Sequence, residues 1–321
     1  MYYVSESMVE SLVTQNEVTE AIEHTFVALA DGDAICFPIV RETLNFADAI
    51  FGFKSGFDRT GPILGVKAGG LWPGNAAQGI LNHQSTILIF DENTGAPSAL
   101  VRATYLTGLR TAAASALSIK HLARNDSKTL GMIGAGGQGS YQLTAALNER
   151  DFDRVIIYDP NEENAEKLAT TAMQMGLTSA VAQPEELARA SDVIITVTPS
   201  RKPIVMADWI KPGTHLACMG ADTVGKQEVE AALVAKANLF GDVAEQAVTL
   251  GESQHAYKAG LIEKEHITTL GAVINQSNPG RSDANEITIF DSTGMALQDL
   301  AAGRLAVKRA LEDGRIIDLE D

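Results

Sequence analysis

The segment TLGMIGAGGQGSYQLTAAL constrains the fold of this chain more than any other. A short apolar run ends in Gly134-Ala135-Gly136-Gly137-Gln138-Gly139, and a helical pattern follows to about residue 149. Between a strand and a helix, glycines at this spacing allow a tight turn at Gly134, close approach of backbone to a pyrophosphate at Gly136, and tight helix packing at Gly139. The start of the helix offers unpaired N–H groups and a favourable dipole to an anion. The apolar run VIIYDP then ends in Asp159, either an ordinary turn residue before Pro160 or an acceptor for the adenosine ribose hydroxyls. A carboxylate there would repel a 2′-phosphate, so the pattern favours NAD(H) over NADP(H).

From residue 129 onward, apolar runs alternate with helical ones. VIIYD at 155–159, a helix over 161–175, a strand near 179–182, a helix over 184–190, DVIITVT at 192–198, HLACMG at 215–220 and NLFGD at 238–242 follow in turn. Continuous apolar strands separated by helical crossovers imply a parallel sheet covered on both faces. The flanking chain has another rhythm. An amphipathic helix over 11–32 precedes the strand-like runs AIFGF at 49–53, ILGVKA at 63–68, STILIF at 85–90 and PSALV at 97–101. DENTGA suits a hairpin loop between the last two, and LTGLRTAAASALSIKHLA at 106–123 is helical. ITIFDSTG at 287–294 is a further strand, and the helix MALQDLAAGRLAVKRALED is long enough to return to the first domain. The expectation is an α/β chain: a central Rossmann-type, doubly wound parallel sheet domain over 124–294, and a discontinuous α+β domain over 1–123 and 295–321.

A length of 321 residues exceeds one ordinary core, and 45% hydrophobic with 21% charged residues fits a globular protein. The balance of 25 Lys+Arg against 41 Asp+Glu, a net −16, would repel a phosphate backbone, so no nucleic-acid partner is expected. Cys36 and Cys218, the only cysteines, provide neither a disulfide framework nor metal-ligand spacing, so no metal is expected and a reducing cytoplasm fits. No export signal or membrane segment is read from the chain. In FGFKSGFDRTGPILGVKAGG, Lys54 and Lys67 share a small, apolar, glycine-flanked context. They are either edge-strand lysines that discourage aggregation or cations facing an anion.

The motifs LTGLRTAAASAL, IGAGGQG, HLACMGADTVGKQEV and IFDSTGMALQD, in this order and spacing, resemble the ornithine cyclodeaminase and mu-crystallin family over nearly the whole chain. The resemblance implies a Rossmann domain, a substrate and dimerisation domain built from both chain ends, and a homodimer. It also implies NAD-dependent hydride chemistry at an amino-acid α-carbon. Arg110 falls on the family's carboxylate-binding arginine, whose planar fork suits that ligand. The small residues around it, Thr111, Ala112, Ala113, Ala114 and Ala116, argue against a plain surface arginine. Arg41 in CFPIVR and Lys67 in GVK match the family's other carboxylate ligands, and Asp222 in MGADTVGK matches its acid–base aspartate. Lys67 and Asp222 are thus the candidate catalytic residues. Thr111, Gly134, Gly136, Gly137, Gln138, Gly139, Asp159, Thr198, Met219, Ser292, Thr293 and Gly294 are the candidate cofactor contacts.

Lys54 departs from the cyclodeaminase pattern, which by spacing carries an acidic residue in this region. A cation here would oppose an ornithine ammonium and attract a second carboxylate. GVKAGGLWPGN and LNHQSTILIFDENTG are most similar to the branch that reduces iminosuccinate to L-aspartate with NADH. In that branch Lys54, with His83 and Gln84, would meet the β-carboxylate. Alternatives are an alanine dehydrogenase, a cyclic ketimine reductase, an ornithine cyclodeaminase, or a mu-crystallin-like nucleotide or small-molecule binder. Joint retention of Arg41, Lys67, Arg110 and Asp222 argues for an enzyme.

Overall fold

A computed structural model describes residues 1–319. The chain begins with β1 (Tyr2–Val4), α1 (Glu6–Leu12) and α2 (Gln15–Ala30). The single helix expected over 11–32 is therefore two. Thr14 caps α2, its backbone N–H donating to Glu17 Oε2 at 3.0 Å while its hydroxyl accepts from the Glu17 N–H at 3.4 Å. This reciprocal box starts a new helix.

Next come β2 (Ala34–Cys36), β3 (Val40–Thr43), β4 (Ile50–Asp58), β5 (Ile63–Leu71), β6 (His83–Phe90) and β7 (Pro97–Arg102). Then α3 runs over Thr104–Leu122, its first N–H groups accepted by the Glu6 carboxylate. An anion at a helix start satisfies unpaired donors and complements the dipole.

The parallel part follows: β8 (Thr129–Ile133), α4 (Gly139–Glu149), β9 (Arg154–Tyr158), α5 (Glu162–Gln174), β10 (Thr178–Val181), α6 (Pro184–Ala190) and β11 (Val193–Thr196). It continues with β12 (Arg201–Val205), β13 (His215–Cys218), β14 (Gln227–Val229), α7 (Ala231–Lys236), β15 (Asn238–Gly241), α8 (Ala244–Thr249) and α9 (Gln254–Lys258). It closes with β16 (Ile267–Thr269), α10 (Leu270–Ile274) and β17 (Thr288–Asp291). Among the described residues its sheet has the order β10-β9-β8-β11-β13-β17-β15-β16, every pair parallel. The order reverses between β8 and β11, the switch point at whose carboxyl ends open α/β sheets bind ligands. Finally α11 (Ala296–Asp313) and β18 (Ile317–Asp318) complete the first sheet, in the order β18-β1-β7-β6-β5-β4-β2 with β3 beside β4.

The chain forms two compact units. The first runs from Met1 to Arg110 and resumes at Met295; the second is Thr111–Gly294. The junction expected at 123/124 differs from this division, which falls inside α3. Beyond Arg110 that helix packs Ala112 and Ala116 against Ala145 of α4, and small side chains let the two helices approach. No described helix is long and apolar enough to cross a membrane.

In the first unit α11 lies directly on one face of the mixed sheet, whose β4, β5 and β6 are antiparallel. A Cβ on Gly65 would meet Leu300 Cδ2 at 2.6 Å, one on Gly56 would meet Leu297 Cδ2 at 3.1 Å, and one on Gly303 would meet Ile87 Cδ1 at 3.1 Å. Glycine on both partners sets this close packing.

Candidate active site

Lys54 and Lys67 lie directly opposite each other across the β4–β5 ladder. Both strands are interior to the sheet and each lysine is only 7% exposed, so neither guards an edge. Directly opposed residues share a face. Arg41 lies opposite Gly52, and His83 opposite Leu71, so both belong to the lysine face, the one α11 covers. Gln84 does not. It lies opposite Gly70 on the other face, where its amide donates to Leu81 O at 3.0 Å and its Oε1 accepts from Arg102 at 3.4 Å. Consecutive strand residues point to opposite sides, so His83 and Gln84 cannot serve one ligand together. The assignment of Gln84 to the β-carboxylate is corrected accordingly.

The cations meet a residue to which the sequence pattern assigned no role. Asp299 of α11, 1% exposed, accepts with its Oδ1 both from Lys67 Nζ at 3.1 Å and from Arg110 Nε at 3.0 Å. The neighbouring Gln298 Oε1 accepts from the other side of the Arg110 guanidinium at 3.2 Å. Burial pushes the Lys67 ammonium down to about 8; Asp299 opposes this, while Arg110 and Arg41 reinforce it. Burial, helped by Lys67 and Arg110, brings His83 down to about 4, so near neutrality it is an uncharged hydrogen-bonding group. Burial would raise the Asp299 carboxyl, but Arg110, Lys67 and Lys54 overcome it and hold the group below its ordinary value.

In the second unit Gly134 takes φ +104°, where a Cβ would also strike Val197 O at 2.7 Å, and a Cβ on Gly139 would meet Leu168 Cδ2 at 3.1 Å. Gly136 and Gly137 are different. A Cβ on either would meet nothing within 4 Å. The protein's own packing explains the outer two glycines, and an open cradle for a ligand explains the inner two. Gln138 sits at the cap of α4. Asp159, just past β9, accepts from the Ala135 N–H and the Asn161 N–H, each at 2.8 Å, and so fixes the loop while retaining lone pairs for ribose hydroxyls. These residues fit a dinucleotide.

The strand-end loops beyond are held by buried carboxylates that sequence reading passed over. Glu228 accepts from the Thr198 N–H at 2.6 Å, the Gly220 N–H at 2.9 Å and the Thr196 hydroxyl at 2.8 Å. Glu252 accepts from the Glu228 and Val229 N–H groups, and Asp291 from those of Glu252 and Ser253. Burial raises Glu228 and Glu252 and takes Asp291 to about 7. Met219, between these anchors, is buried, its N–H donating to Thr196 O at 2.7 Å. Ser292 donates to Asp242 at 2.9 Å and Thr293 to Gln246 at 2.8 Å, while the Gly294 N–H reaches Asp242 at 2.7 Å. Both hydroxyls thus bond within the protein and shape the turn. Asp222 follows β13; its Oδ1 accepts from Lys226 Nζ at 2.7 Å and from the Thr223 hydroxyl at 3.1 Å. Thr111 follows Arg110 on α3.

A parallel sheet with an open glycine cradle at its switch point, joined in one chain to a buried cationic sheet face, defines a Rossmann-type protein built for a dinucleotide and a small anion. The model of the ornithine cyclodeaminase/mu-crystallin family matches residues 2–314, and the chain belongs to that family. It is an NAD-dependent oxidoreductase of the imino- and amino-acid class. It is 46% identical over the full length of both chains to the iminosuccinate reductase of Paracoccus denitrificans. The structure of that protein with NAD+ superposes at a TM-score of 0.95, covering 100% of this chain and 99% of the other. The alanine dehydrogenase of Archaeoglobus fulgidus is 38% identical over 96% of this chain and 94% of its own. The Thermococcus litoralis Delta(1)-pyrroline-2-carboxylate reductase, solved with NADH and L-proline, is 32% identical with a TM-score of 0.95, covering 99% of this chain and 100% of that one.

Proposed function

We propose that this protein reduces iminosuccinate to L-aspartate with NADH. The observation that carries this reading is the buried pairing of Lys54 with Lys67 on a face that also bears Arg41 and receives Arg110. Among the described residues Asp299 is the carboxylate that Lys67 and Arg110 share. Two buried ammonium groups on one face create a positive field that favours a dianionic substrate over a monoanionic one. A second substrate carboxylate meets that field at Lys54. The 46% identity to an iminosuccinate reductase supports the same choice.

In this reading Arg110, Arg41 and Lys67 bind the α-carboxylate and Lys54 binds the β-carboxylate, with neutral His83 as a hydrogen-bonding neighbour. Fixing both ends removes rotational freedom from the C=N carbon between them, the main contribution the protein makes to rate. Bound NADH supplies the hydride. The nitrogen gains its proton from solvent or a side chain, so iminosuccinate, NADH and one proton give aspartate and NAD+. Asp222, paired with Lys226, offsets the positive charge of the protonated imine.

We further infer a homodimer. The outer face of the first sheet carries Phe51 and Phe53, 39% and 42% exposed, with Val66 and Leu88 half-buried beside them. An apolar sheet face of this kind is normally covered by a partner. Cys36 and Cys218, neither in a disulfide, agree with a reducing cytoplasm.

The test is NADH consumption by purified protein with oxaloacetate plus ammonium, pyruvate plus ammonium, and a cyclic imino acid. Product is identified by mass and chirality. Preference for the first pair with L-aspartate as product supports the proposal; preference for either other substrate rejects it.

A further inference from the structure

We propose that Asp299 is a positioning residue that holds Lys67 charged and aims it, together with Arg110, at the substrate carboxylate. This rests on the imino-acid reading above.

The first support is geometric. A single oxygen, Oδ1, takes both Lys67 Nζ and Arg110 Nε, so one atom fixes the spacing of two cations that come from β5 and α3. The second is the rigidity of its base. α11 sits on the sheet through glycines on both partners, and Gln298 grips the same guanidinium from the adjoining position. The carboxylate thus has little freedom to follow its partners; they come to it. The third is incomplete satisfaction. Among the described residues Asp299 Oδ2 is buried without a hydrogen-bond partner, as is the Gln298 side-chain nitrogen. Buried polar atoms in a purely structural pair are normally satisfied, so this arrangement fits a site completed by a ligand.

The charges around Lys67 make the role specific. Arg110 on α3, Arg41 on β3, Lys54 on β4 and uncharged His83 on β6 surround it, with Asp299 on α11 the counter-ion. Burial and the neighbouring cations push the lysine toward its neutral form, which would no longer attract a carboxylate. Its position at about 8 already reflects that opposition. Replacing Asp299 by an amide keeps shape and removes the counter-charge.

The test compares wild type, Asp299→Asn and Asp299→Glu. The pH dependence of kcat/KM for oxaloacetate plus ammonium is expressed as a ratio to wild type, so that imine formation in solution cancels. NADH affinity is read by fluorescence. The Asn variant is expected to retain NADH affinity, to raise KM more than it lowers kcat, and to move the alkaline limb down by about one pH unit or more. The Glu variant should restore part of the limb. A loss by the same factor at every pH would mean Asp299 only supports the fold and would overturn the proposal. If the Asn variant does not fold, the Glu variant decides: a displaced limb supports the role and an unmoved one rejects it. Lys67 titration is also followed without substrate by 13Cε-lysine NMR, with Lys67→Arg for assignment. A lowered Lys67 titration point in a protein that reduces no imino acid would reject the proposed function while upholding the role of Asp299.

Discussion

In the unit that contains β4 and β5, Lys54, Lys67 and Arg110 are buried around the Asp299 carboxylate. In the dinucleotide unit the buried acids are Glu228, Glu252, Asp242 and Asp291, and burial raises Glu228, Glu252 and Asp291 toward their neutral forms. Each carboxyl of the acidic set accepts at least one backbone N–H of a neighbouring loop. In the cationic set, Lys67 and Arg110 donate to α11, which provides an oxygen each from Asp299 and Gln298. One group of charges builds loops. The other gathers cations on one face, where an anionic substrate would be attracted. Disturbing the first should alter cofactor binding and stability; disturbing the second should alter substrate use.

The largest effect expected is for Arg110→Ala. Loss of charge-assisted bonds to a carboxylate should lower kcat/KM by about 100- to 1,000-fold. NADH affinity, measured by fluorescence titration, should hold; an equal loss of both would erase the distinction between the two sets. Next is Gly136→Ala, whose Cβ meets nothing within 4 Å in the protein, so the melting temperature should not change. NADH affinity should fall about tenfold or more, because the cradle is filled. Gly65→Ala should do the reverse. Its Cβ strikes Leu300, so stability drops by about 1–3 kcal/mol, read by denaturant unfolding. Glu228→Gln turns an acceptor of three hydrogen bonds into a mixed donor and acceptor, and should raise KM for NADH several-fold more than it changes KM for the imino acid.

The smallest effect concerns pH. Asp291 is raised from 3.8 to about 7, so its favourable contribution is full below 3.8 and is lost as pH rises through about 7. Asp291→Asn should therefore flatten the dependence of melting temperature on pH across that window, as calorimetry would show.

The parallel sheet was legible because its strands are buried on both faces and read as continuous apolar runs, and because the glycine cradle lies where a strand gives way to a helix. Lys54 and Lys67 were legible as candidates, but their direct opposition depends on the register of β4 with β5. Asp299 lay inside a quoted motif and still carried no role, since which side of α11 meets the sheet is set by packing at Gly56 and Gly65. Glu228 reads in sequence as an ordinary solvated acid. Its burial follows from long-range pairing with Thr198 and Gly220. Gln84 was misplaced by treating neighbours in sequence as neighbours around a ligand, which a strand forbids.

The central claim is that Lys54 meets a second carboxylate, and the most direct measurement is the ratio of kcat/KM for oxaloacetate plus ammonium to that for pyruvate plus ammonium, in wild type and in Lys54→Ala. The account predicts that the substitution lowers the dicarboxylate value by about 10- to 100-fold and the pyruvate value by less than about threefold, since one desolvated ion pair is lost in the first case only. Equal loss on both substrates, or an unchanged ratio, would contradict it.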